Sequence, residues 1–164
     1  MMAQSNKNLG TYEASAELPE VAFDYDGYAE VSKAARLFEI KLIDSKYLIK
    51  PEISFAIEDL SKMTHGFSGD SDHFTFDAKQ GLAMGHYRWT AEIKYGRKKA
   101  LRLVANYLIG YSDLANFDEA NVRHYFDKVG RFATYPYFRA LFSHHTSESG
   151  LALPPLPTLS ERVN

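Results

Sequence analysis

The sequence predicts an α+β fold, a four-stranded antiparallel sheet followed by two helices. Period-two alternation runs through four stretches between Leu37 and Tyr111, turn residues separate those stretches, and the period changes to a helical one after Asn116. A chain of 164 residues suits a single domain with one core, and its order of strands then helices is that of a layered α+β protein. Hydrophobic residues make up 45% of the chain and charged residues 24%, which is globular usage and argues against wholesale disorder.

Residues 1–34 read as an acidic N-terminal arm. Glu13, Glu17, Glu20, Asp24, Asp26 and Glu30 stand there against Lys7 and Lys33, and a short helix is predicted near Tyr28 to Ala35. From Leu37 the chain alternates: Phe38, Ile40 and Leu42 against Glu39 and Lys41, then, with parity flipped, Ile43, Ser45, Tyr47 and Ile49 against Asp44, Lys46 and Lys50. An inserted bulge residue near Ile43 produces such a flip. Pro51 ends the strand. After a segment carrying Ile53, Phe55, Ile57 and Leu60, the Ser-, Gly- and Asp-rich stretch Ser61 to Asp72 reads as a crossover loop.

A second strand is read at Phe74 to Ala78, turning at Gln80-Gly81. In the third, Tyr87, Trp89, Ala91, Ile93 and Tyr95 face one way and His86, Arg88, Thr90, Glu92 and Lys94 the other. In the fourth, Leu101 to Tyr111 place apolar side chains on the odd positions, while Val104 and Leu108 share the opposite face with Arg102 and Asn106, which predicts two partly covered faces. Asn116 with Glu119 has capping-box spacing, and Val122, Tyr125, Phe126 and Val129 form a helical stripe that Gly130 closes. A second helix opens near Pro136, buries Phe138, Leu141 and Phe142, and ends around Gly150. The apolar run Leu151 to Leu159 contains three prolines, so it is neither a regular helix nor a central strand and must lie extended against something.

The composition excludes much chemistry. With no cysteine there are no disulfides, thiol nucleophiles or thiolate metal sites. No apolar run is long enough for a membrane helix and the polar start has no signal-peptide pattern, so the chain is expected to be cytoplasmic, with no membrane insertion. A net charge of −2 supplies no general attraction for nucleic acid. The basic cluster Lys94, Arg97, Lys98, Lys99 and Arg102 at a hairpin tip reads as a solubilised turn, so no nucleic-acid partner is assigned. His144 and His145 are adjacent on a helix and diverge. His73 and His86 fall close together across the Gln80-Gly81 turn, but spacing marks no third ligand, so no metal site is assigned. No phosphate loop, nucleophile elbow or zincin motif occurs, which predicts no enzyme and no cofactor. Eleven Phe and eleven Tyr exceed the needs of such a core and predict an interface or groove. The two edges of a four-stranded sheet further predict self-association.

The run Arg131-Phe132-Ala133-Thr134-Tyr135-Pro136-Tyr137-Phe138-Arg139, then Gly150, then Leu153-Pro154-Pro155-Leu156 resembles the C-terminal half of the SecB chaperone family. The nearer likeness is to SecB-like chaperones that accompany toxin–antitoxin systems, and the strand Leu37 to Pro51 is similar to the family's first strand. The resemblance covers about residues 35–159, leaving 1–34 as the arm and 160–164 as the C-terminal end. It implies a protomer commonly assembled as a dimer of dimers, a homotetramer, with no catalytic chemistry. The implied function is that of an ATP-independent holdase, binding non-native polypeptides in extended apolar grooves for protein export or for protection of an antitoxin. The implied partners are preproteins or an antitoxin, with the SecA motor in export.

Groove positions implied by the resemblance are Tyr47, Ile49, Ile53, Phe55 and Ile57 on the strand and crossover, and Leu151, Leu153 and Leu156 on the last wall. Strand parity adds Trp89 and Tyr107. Two other readings fit the elements: a small-ligand carrier on a helix-covered sheet, and a purely structural oligomer. An open apolar channel favours the holdase, a closed cavity with convergent polar groups the carrier.

Overall fold

The computed structural model of the protein describes residues 23–51, 53 and 62–159. A short helix α1 (Tyr25–Ala34) leads into β1 (Arg36–Ile49), followed by β2 (Met63–Asp77), β3 (Leu82–Tyr95), β4 (Lys98–Ser112) and a long helix α2 (Glu119–Glu148). The strands form one antiparallel sheet in the order β1-β4-β3-β2, so β1 and β2 are its edges. The α+β class and the four-stranded antiparallel sheet are as expected, and both predicted C-terminal helical segments are helical. No helix among the described residues is long and apolar enough to cross a membrane.

Asp24 caps α1 by accepting from the Gly27 amide at 2.9 Å, and its second oxygen accepts from Asn121 Nδ2 at 2.8 Å, which ties α1 to the start of α2. The Gly27 amide, and after it Asn121, hold the Asp24 carboxyl below the usual carboxylate range. At the other end Arg36 Nη1 donates to the carbonyls of Lys33, Ala34 and Ala35.

The bulge at Ile43 is present: the β1–β4 register shifts between Leu42 and Asp44. A second shift between Leu37 and Glu39 inserts Phe38, whose ring covers Gly110 so closely that a Cβ there would lie 2.5 Å from a ring carbon. The odd-position residues of β3 from Ala83 to Ile93 and of β4 from Leu101 to Tyr111 are buried on the face that α2 covers, as their alternation predicts. The opposite face carries a polar row across three strands, with Arg88 Nε donating to Asn106 Oδ1 and Asn106 Nδ2 donating to Asp44, each at 2.8 Å.

The predicted crossover loop Ser61 to Asp72 is corrected by β2, which begins at Met63 and pairs with β3 along its length, with an irregularity between Asp72 and Thr75 where His73 has φ of 52°. Its glycine content has a packing cause. Gly69 lies under Trp89, and a Cβ there would meet the indole at 2.7 Å.

The two helices predicted at the C-terminal side are one continuous helix. Gly130 does not end it: the residue is buried in mid-helix, where an added Cβ would stand 3.1 Å from Ile109 Cδ1, so its small size lets α2 approach β4. Pro136 does not begin a helix but lies inside this one with its ring exposed. An interior proline costs about 3 kcal/mol. The buried phenylalanines Phe126, Phe138 and Phe142, each worth roughly 1.5–3 kcal/mol, outweigh that cost. The cap is also displaced from Asn116, which has φ of 64°, to Asp118, whose side chain accepts from the amides of Ala120 and Asn121.

Candidate functional site

Residues 151–159 form an extended strap along α2. The helix ends at Ser149, Gly150 adopts φ of 69°, and the Leu151 amide donates back to the Thr146 carbonyl at 2.9 Å, which reverses the chain. Leu151 and Leu156 are buried, Leu153 is half-buried, and Pro154 and Pro155 are exposed. Where prolines remove amide donors, the strap's carbonyls are met by side chains of α2: Arg139 Nε donates to the Leu156 carbonyl at 2.6 Å and the Tyr135 hydroxyl donates to the Pro157 carbonyl. Burial raises the Tyr135 hydroxyl's pKa, with Arg139 opposing, so it remains a donor at neutral pH.

Between the strap and the sheet is an open cleft of about 170 Å³, lined by Met63 and His65 of β2, Ile93 of β3, Phe142 of α2, and Leu153, Pro154, Pro155 and Leu156. A second hollow of about 240 Å³ lies between α2 and the strap's end, among Phe132, Tyr135, Pro136, Arg139, Thr158 and Leu159. Beside the cleft, Tyr135 packs on Phe67 at 5.3 Å and on Trp89 at 4.9 Å between ring centroids. An apolar cleft with one ionisable lining group can accept bulky apolar side chains, and it offers no set of polar groups converging on a small ligand.

Of the residues singled out in the sequence, Leu153 and Leu156 line this cleft. Leu151 is a buried anchor of the strap. Tyr47 and Ile49 are half-buried at the end of β1; Tyr47 stacks on His145 at 4.7 Å and shares a hydrogen bond of 2.9 Å with Ser149 Oγ. Ile53 is buried, while Phe55 and Ile57 lie outside the described residues. Trp89 and Tyr107 are core residues in this protomer: strand parity assigns them to the right face, and that face is the one α2 covers. Trp89 is fully enclosed, with its indole N–H donating at 2.8 Å to Thr134 Oγ1, which in turn donates to the Gly130 carbonyl. Burial pushes the Tyr107 hydroxyl up to about 12.

Sequence reasoning misses Met63 and His65, because the glycine, serine and aspartate around them have the composition of a loop. Their alternation with Thr64 and Gly66 was nonetheless a readable signal. It also left Tyr135 and Arg139 without a role. The remaining chemical candidates stay modest. His73 and His86 do meet, their centroids 5.1 Å apart, but among the described residues no three metal-binding side chains converge. The basic hairpin is partly neutralised by Glu92, which pairs with Lys99 at 2.8 Å and Arg102 at 3.2 Å; the Lys99 hydrogen bond is the main cause of its lowered pKa.

No family model matches the chain, and no curated protein matches it either. Among solved structures, it is similar to a SecB-like chaperone of Mycobacterium tuberculosis, determined in complex with a ChAD peptide from the HigA1 antitoxin. The TM-score is 0.67 at 16% sequence identity, over 84% of this chain and 99% of that one. The sheet, the long helix and the strap thus together make a SecB-like fold.

Proposed function

We propose that the protein is an ATP-independent holdase that binds non-native polypeptides in extended apolar grooves. The observation that carries this reading is the open apolar cleft under the Leu-Pro-Pro strap, set in a SecB-like fold. Affinity in such a groove comes from apolar burial at about 25 cal/mol per Å², which needs no fixed client sequence. The similar chaperone's antitoxin peptide supports an antitoxin as client here; preproteins handed to the SecA motor are the export form of the same proposal. A cytoplasmic location belongs to the proposal. So do the groove positions Tyr47, Ile49, Phe55, Ile57, Leu153 and Leu156, whereas Ile53 and Leu151, buried in this protomer, support the groove from behind.

A homotetramer is also proposed. Phe38 and Leu48 on the edge strand β1 are 50% and 54% exposed, Tyr137 on α2 is 56% exposed, and a second copy would cover such surfaces. Light scattering that finds only an 18.6 kDa monomer at micromolar concentration refutes it.

The decisive experiment follows light scattering from a chemically denatured model client as it aggregates, with the protein present and with or without nucleotide. Suppression at stoichiometric protein, independent of nucleotide, is expected. Failure to delay aggregation refutes the reading.

A further inference from the structure

The strap is short of backbone donors, with prolines at 154, 155 and 157, yet it is held in one place along α2. At its start the Leu151 amide bonds to the Thr146 carbonyl and the Leu151 side chain is buried. At its far end the successive carbonyls of Leu156 and Pro157 are met by Arg139 Nε and the Tyr135 hydroxyl. Residues 135 and 139 are four apart on one helix and so project from the same face. The Arg139 bond is charge-assisted, and the Tyr135 ring packs against both Phe67 and Trp89, which restricts its orientation. Leu153, Pro154 and Pro155 therefore span the cleft between two anchors.

We infer that Tyr135 and Arg139 are positioning residues that clamp the far end of the strap and so hold the Leu-Pro-Pro wall of the cleft in its client-binding position. The inference rests on the holdase reading and adds to it the groups that set the wall. With those two carbonyl bonds gone, the strap beyond Leu151 is held at its far end by the Leu156 side chain alone, and a client must order the wall as it binds. An ordering cost of that kind falls on affinity. Stability of the core is a separate matter, because Tyr135→Phe keeps the ring packed and Arg139→Met keeps an apolar stem.

The test compares the unaltered protein with Tyr135→Phe, Arg139→Met and the pair together, and uses Tyr25→Phe as a control that removes a hydroxyl from an exposed ring on α1. Methyl order parameters of Leu153 and Leu156, from nuclear magnetic resonance relaxation, report the strap, and dissociation of reduced, carboxymethylated α-lactalbumin reports client holding. Melting temperature is measured alongside. The paired variant is expected to lower those order parameters and to release the client roughly ten-fold faster, the order of two lost hydrogen bonds, with little change in melting and no change in the control. Unchanged order parameters overturn the clamp. Lower order parameters with unchanged release overturn its role in client holding while leaving the holdase reading intact. If the unaltered protein binds no client, the holdase reading fails in that arm, and the clamp's client role fails with it. Should the paired variant melt early, Tyr135→Phe alone decides, since it removes a single oxygen.

Discussion

Leu156→Ala separates a docked strap from a loose tail. The side chain is 3% exposed and belongs to the core cluster, while Leu153 in the same strap is half-buried and lines the cleft. Leucine-to-alanine changes at enclosed sites cost about 2–5 kcal/mol, and the low end applies where neighbours can relax. Leu156 borders a cleft at the end of an irregular segment, so about 2–3 kcal/mol is expected. Leu153→Ala removes atoms that are already partly hydrated and is expected to cost under about 1 kcal/mol. A further limit comes from local detachment: once the strap lets go, no more can be lost than by cutting the chain after Gly150. Leu156→Ala must therefore cost no more than that truncation. Urea unfolding, followed by far-ultraviolet circular dichroism and by the fluorescence of Trp89, the single tryptophan, measures all of these. Equal costs for Leu153→Ala and Leu156→Ala, or less than about 1 kcal/mol for the latter, would refute the docked strap.

Thr134→Val leaves the buried Trp89 indole N–H without its acceptor and is expected to cost about 1–3 kcal/mol, read by thermal melting; a neutral result rejects that bond. Gly69→Ala drives a methyl against the Trp89 indole and is expected to destabilise by about 1–3 kcal/mol with a changed tryptophan emission, whereas Gly66→Ala, which meets nothing within 4 Å, serves as the contrast. At high pH, burial holds the Tyr87 and Tyr107 hydroxyls up to about 12 against an unfolded value near 10, so the folded state keeps protons that the unfolded state releases. Stability is then unaffected below pH 10 and falls as pH climbs from about 10 to 12. Tyrosinate absorbance rising together with the loss of circular dichroism checks this, and full ionisation near 10 with the fold intact contradicts it.

The strand half of the fold was legible because alternation is a backbone property: Tyr87 to Tyr95 and Leu101 to Tyr111 point where parity sends them. Even the β1 bulge left a mark, as the flip at Ile43. What misled was local chemistry whose cause lies elsewhere in the chain. Gly66 and Gly69 look like loop residues, but Gly69 is required by an indole that comes from β3. Gly130 and Pro136 look like a helix stop and start. One of them is small so that α2 can reach β4, and the other sits where its ring faces solvent. The cleft was half legible for the same reason. Leu153 and Leu156 stand out in an odd apolar run, whereas Met63 and His65 count only once β2 is known to be a strand.

The two runs that stand out in the sequence, Arg131 to Arg139 and Leu153 to Leu156, are some twenty residues apart and act as one unit. A helix capped at Ser149 and a chain that doubles back at Gly150 must pass the strap beside residues three to four turns earlier, which is where Tyr135 and Arg139 wait. Prolines in the strap make the arrangement reciprocal. They remove the strap's own donors and so leave its carbonyls to the helix, and an aromatic hydroxyl with a guanidinium answers that need better than aliphatic residues could. The requirement is geometric and falls on few positions, while the rest of the helix and sheet can exchange one apolar residue for another at small cost.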